Sequence, residues 1–184
     1  MVVRPANPTN FGPRFTQDIN GNPVSNPMIV VLHETVGSGS SAINTMLAPQ
    51  PDESRQVSYH AIILLDGTIA FVVPPEFRAF GAGNSVFNGP YGPEAVKTHP
   101  IFPASVNNFA YHISLETPLD GRHNGAGHSG YTPAQYRSVA WLVARTGVPE
   151  NRVTTHRAVD RSGQRRDPRS FNTQAFSQLL RATR

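Results

Sequence analysis

The chain has 184 residues and no cysteine, which excludes disulfides, thiolate nucleophiles and iron–sulfur clusters and leaves histidine and carboxylate as the only ordinary metal ligands. Glycine (15) and proline (17) make about a sixth of the sequence and only 15% of residues are charged, the composition of a loop-rich globular chain of one-domain size. No apolar run approaches the ~18 residues that span a bilayer, and the amino-terminal stretch lacks the apolar core of a secretory signal, so the expected chain is cytosolic or exported by another route.

Residues 1–27 are rich in Pro, Asn and Gly without periodicity and are expected to form an irregular leader lying over a domain at 28–184. Met28 to His33 is an unbroken β-rich apolar run, the pattern of a strand buried on both faces. Val36 to Ser41 reads as a turn, and Ser41 to Ala48 as a short helix ended by Pro49. Ser58–Leu65 and Thr68–Val73 flank Asp66-Gly67, so an antiparallel hairpin is expected there. Residues 74–108 form a long excursion dominated by Gly, Pro and Asn, a type of segment that often carries function.

In Ala110 to Glu116 the side chains alternate, with Tyr111, Ile113 and Leu115 on one face and His112, Ser114 and Glu116 on the other. This predicts a half-buried strand with a polar inner face. Pro118 to Gly130 reads as a flexible loop in which His123 and His128 are solvated. Thr132-Pro133-Ala134-Gln135 combines an N-cap, a proline at the first helical position and a capping-box glutamine. The helix it opens carries Trp141 into the core and stops at Gly147. Val153 to Thr155 is a short strand and Asn172 to Arg181 a closing helix. The fold class is α/β: one domain, a mixed central sheet with helices on both faces and a groove over the strand ends.

Three possible metal ligands stand at strand ends or in a loop. His33 closes the first apolar strand, His156 closes the strand from Val153, and Asp167 precedes a proline that biases it to an extended shape. Two neutral imidazoles and a carboxylate are a donor set known from catalytic zinc, with a fourth position left for water. Each also has an ordinary reading, as a solvated histidine or a turn aspartate, and seven histidines make chance pairings easy. The residues alone therefore leave the metal open.

VLHET at 31–35, VSYHAIILLDGTI at 57–69, ISLET at 113–117, YTPAQYRSVAWLV at 131–143 and TTHRAVDRSGQRRDPR at 154–169 occur in one order. Together they resemble the zinc-dependent N-acetylmuramoyl-L-alanine amidases, the superfamily of phage lysozyme-type amidases, cytosolic anhydro-muropeptide amidases and peptidoglycan-recognition proteins. The resemblance implies Zn2+ on His33, His156 and Asp167. It also implies hydrolysis of the amide between N-acetylmuramic acid and L-alanine in peptidoglycan or muropeptides. Tyr59 falls on a tyrosine near the metal in some branches and Glu116 on a glutamate used in another. Because Tyr59 and His60 alternate along a strand, only one is expected to face the zinc, and Tyr59 is favoured. Glu116 is then expected to move the proton, with Tyr59 and Arg165 stabilising the oxyanion.

Two positions depart from the family pattern. Arg165 stands where lysine is common; it keeps the charge but cannot give up a proton. Arg78-Ala-Phe-Gly-Ala-Gly replaces Trp-His-Ala-Gly, so Gly81 stands where relatives carry a substrate-contacting histidine. His112 either orients Glu116 or makes a core hydrogen bond, and the Arg161–Arg169 cluster reads as a solvated face from which only Arg165 is singled out. One rival is a recognition module that binds muropeptides without cutting, which the retained Asp167 argues against. A nucleic-acid-binding protein is the other, resting only on the basic carboxyl-terminal third and without a supporting motif. The expected partner is thus peptidoglycan or a muropeptide, with no nucleic acid and no membrane segment, and the expected state is a monomer. The site of action is then the cell wall, with a cytosolic recycling role as the alternative.

Overall fold

The computed structural model describes residues 1–184. Along the chain the strands are β1 (Val2–Val3), β2 (Phe11–Pro13), β3 (Ile29–Glu34), β4 (Ala61–Ile63), β5 (Ile69–Phe71), β6 (Phe77–Ala79), β7 (Phe87–Gly89), β8 (Gly92–Glu94), β9 (Ala110–Leu115) and β10 (Val153–Thr155). The helices are α1 (Gly39–Leu47), α2 (Pro133–Thr146), α3 (His156–Val159) and α4 (Thr173–Thr183).

Six strands form the central sheet in the order β1-β5-β4-β9-β3-β10. β4, β9, β3 and β10 run parallel, whereas β5 returns antiparallel to β4. The return is the hairpin expected at Asp66-Gly67: Gly67 takes φ +85°, and the Thr68 amide donates to the Asp66 carboxylate. Because β3, β9 and β10 are parallel and in register, their carboxyl-terminal ends share one edge, the usual place for a site in an α/β sheet.

One face of the sheet packs Val30, Leu32, Ile113 and Leu115 against Val139 and Val143 of α2 and Phe176 and Leu180 of α4. Burying each such side chain contributes ~1.5–3 kcal/mol. The other face packs Ile62 and Ala70 under Ile43 and Met46 of α1. Beside them Ile29 and Val31 meet Val159 of α3 and Ala82, Phe87 and Val106 of the long excursion. Helices thus lie on both faces, as expected. β3 is buried along its whole length, in keeping with its apolar run.

β9 departs from the half-buried strand expected of it. All six of its residues are buried, with Gly81 of the excursion closing over His112 and Tyr59 lying beside Ser114. The leader is more regular than its composition implied. Val2–Val3 adds an edge strand parallel to β5, β2 pairs with β6, and Arg14 donates to the carbonyls of Pro75, Asn108 and Ala110. α2 opens with the full capping box, Thr132 and Gln135 each satisfying the other's backbone, and ends at Gly147 in the left-handed region. Trp141 lies at the margin of the core, half-buried beneath Arg145, and not inside it. No helix is long and apolar enough to cross a membrane.

Candidate active site

His33 is the penultimate residue of β3 and His156 directly follows β10, so the sheet register brings the two rings side by side, with centroids 4.6 Å apart. Asp167 reaches back from the loop after α3, held by its own carbonyl accepting from the Arg157 amide. The Oδ2 atom of Asp167 lies 3.1 Å from Nδ1 of His156 and 3.4 Å from Nδ1 of His33. Donor atoms sharing a tetrahedral ion at about 2.0–2.1 Å stand roughly this far apart. His33 is fully buried and its Nδ1 has no hydrogen-bond partner, a cost that a metal ion would remove. The three residues therefore fit a zinc-type ion as ligands.

The electrostatics keep His33 and Asp167 in ligating form. Burial pushes the His33 imidazole down to about 4, with nearby His156 adding to the shift, so it is neutral near pH 7. Burial alone would raise Asp167, but the hydrogen bond from His156 and the close approach of His33 overcome it and hold the carboxylate below its usual range.

The Tyr59 ring packs 4.8 Å from that of His33, and burial together with the Asp167 carboxylate raises its phenol, which stays protonated. β4 begins only at Ala61, and of the two residues before it Tyr59 meets His33 while the His60 ring stacks on Tyr111 at 4.5 Å and accepts from the His112 amide. Arg165 is exposed, with its amide on Asp160, and lines the pockets on either side of the ligand cluster. One pocket, of about 320 Å³, is walled by Glu34, Arg166 and Asp167. The second, of about 500 Å³, runs from His156 past Arg78 and Phe80 to Phe102.

Glu116 stands apart from the three ligands. Its Oε2 accepts from the Leu65 amide at 3.0 Å and its Oε1 from Arg122 at 3.1 Å. His112 does not orient it; the ring of His112 turns to His33, with Nδ1 2.9 Å from His33 Nε2.

Sequence reasoning missed a buried ionic cluster beneath the first pocket. Glu34 accepts from Arg169, His128 and Tyr131, so His128 is not solvated and Arg169 is not part of a solvated face. Arg169 also donates to the carbonyls of Gly121, His123 and Gly125, tying down the loop expected to be flexible. The available signal was Glu34 itself: a carboxylate closing a strand that opens with the apolar run Ile29 to Leu32 needs a partner.

A family model described as N-acetylmuramoyl-L-alanine amidase matches residues 23–170. The chain belongs to that amidase family. Its reaction is accordingly hydrolysis of the amide between N-acetylmuramic acid and L-alanine of peptidoglycan. No curated sequence matches the amidase. Among solved structures it is similar to a selenomethionine derivative of AmpD, with TM-score 0.67 and 23% identity over 97% of this chain and 94% of the other. The N-acetylmuramyl-L-alanine amidase AmiD from E. coli, complexed with anhydro-N-acetylmuramic acid-L-Ala-D-gamma-Glu-L-Lys, gives 0.62 and 19% over 92% of this chain and 65% of AmiD. The endolysin amidase LysCS from Clostridium intestinale gives 0.55 and 17% over 97% and 95%. At these identities the likeness is one of fold.

Proposed function

We propose that the amidase is a zinc enzyme whose ion is held by His33, His156 and Asp167 and whose substrate lies across the two flanking pockets. The observation that carries this reading is the buried, unpartnered Nδ1 of His33 facing Asp167 beside His156. When bound, zinc supplies a Lewis acid that makes water nucleophilic near neutral pH and polarises a carbonyl. Tyr59, held protonated beside His33, donates to the oxygen of the scissile amide as negative charge develops there, and Arg165, lining both pockets, adds a second donor. Glu116, given the proton-transfer role by the resemblance of its strand to the amidases, would accept the water's proton and deliver it to the leaving amine after swinging in from the position, apart from the ligands, where Leu65 and Arg122 hold it. Each of its oxygens already accepts one hydrogen bond, and each keeps a second lone pair for this work.

The test is digestion of purified peptidoglycan by protein whose zinc content has been measured. Close to one zinc per chain, new free L-alanine amino termini and no new reducing sugar ends are expected. Full activity without metal would overturn the zinc assignment, and reducing ends without new amines would mean that a glycosidic bond is being cut.

A further inference from the structure

We propose that His112 is a positioning residue for the metal centre, accepting the outer N–H of His33 and so fixing which nitrogen His33 offers to the ion; this rests on the zinc reading above. If His33 ligates through Nδ1, the atom facing Asp167, its proton must sit on Nε2. The acceptor available to that proton is Nδ1 of His112, at 2.9 Å. Outer partners of this kind hold ligand rings in place and typically contribute 10–100-fold to metal affinity.

His112 is itself fixed from behind. Its amide donates to Nδ1 of His60 at 2.9 Å, and the His60 amide donates to the His112 carbonyl. Nε2 of His60 lies 3.1 Å from the Phe77 carbonyl, to which it donates once Nδ1 is the acceptor. All three histidines are fully buried, so their rings have little room to turn. Space for His112 is supplied by Gly81: a Cβ there would lie 2.6 Å from the ring. The glycine that interrupts the expected Trp-His pattern thus makes room for a histidine arriving from β9.

The experiment measures zinc affinity by chelator competition for the wild type, His112→Asn and His112→Leu, with circular dichroism of the metal-free proteins as the folding control. Asparagine places an acceptor oxygen near the position of Nδ1, whereas leucine keeps the bulk and removes the acceptor. His112→Asn should bind zinc within about 3-fold of wild type and His112→Leu about 10–100-fold more weakly. A folded His112→Leu with wild-type affinity overturns the proposal. Should that variant not fold, nitrogen-15 NMR of the zinc-loaded wild type decides: a proton on Nε2 of His33 and none on Nδ1 of His112 is expected, and the reverse pattern overturns the proposal. A wild type that binds no zinc would instead overturn the underlying metal reading.

Discussion

Replacing His156 by alanine should abolish zinc binding and activity together, because His33 and Asp167 would be left as two donors where three are needed to hold the ion. Zinc content and turnover of the purified variant check this, and unchanged zinc would refute it. Glu116→Gln should keep the metal and lower kcat by roughly 10² to 10⁴, the range for loss of a general acid–base group. Tyr59→Phe removes a hydrogen-bond donor and should cost roughly 10² to 10³. Since these ranges overlap, the pH profile separates the roles: the acidic limb of kcat should vanish or move in Glu116→Gln and persist in Tyr59→Phe. An unaltered limb with near-normal turnover in Glu116→Gln would make the Leu65 and Arg122 contacts of this residue its whole purpose.

The elements differ in how far local sequence accounts for them. α2 is stated almost completely by Thr132, Pro133, Gln135 and Gly147, since capping depends on neighbours a few residues away. Thr132→Ala should accordingly cost about 1 kcal/mol in denaturant unfolding. The meeting of His33, His156 and Asp167 was legible because strand ends and an Asp-Pro loop fix their placement, with the family resemblance choosing among seven histidines. The inner face of β9 was misread: His112 and Ser114 look like half-exposed positions until Gly81 closes over the first and Tyr59 over the second, and nothing within the strand announces that cover. Glu34 with Arg169 was missed for the same reason, its two halves lying on β3 and beyond α3. Arg169→Leu leaves the Glu34 charge buried without its strongest partner and should cost about 3–5 kcal/mol. Faster amide exchange at 121–125 should accompany it, and a loss below 1 kcal/mol would show the pair to be dispensable.

For the molecule as a whole, buried neutral histidines set the response to acid. Burial lowers His33 to about 4 and His60 to about 3, and pushes His112 well below its ordinary value. The unfolded chain therefore binds protons that the native chain refuses as pH falls below about 6.5. Stability of the metal-free protein should be full above that point and decline toward pH 4, each histidine contributing up to about 1.4 kcal/mol per pH unit. Asp167 adds to the loss at still lower pH, where its native carboxylate is forced to protonate. Urea midpoints at pH 7, 6 and 5 with chelator present check this, and equal midpoints would mean the rings are hydrated.

The strand order also governs what a growing polypeptide can do. β3 lies between β9 and β10, so the segment bearing His33 leaves the ribosome long before either neighbour exists. His156 and Asp167 come later still, so the proposed ligand set closes only once the chain has been made through residue 167. Under the zinc reading, metal capture would report that β9, β10 and the Asp167 loop have all been added to β3. Chains stopped before Val153 should hold no zinc however sound their first half, and zinc binding by such truncations measures it.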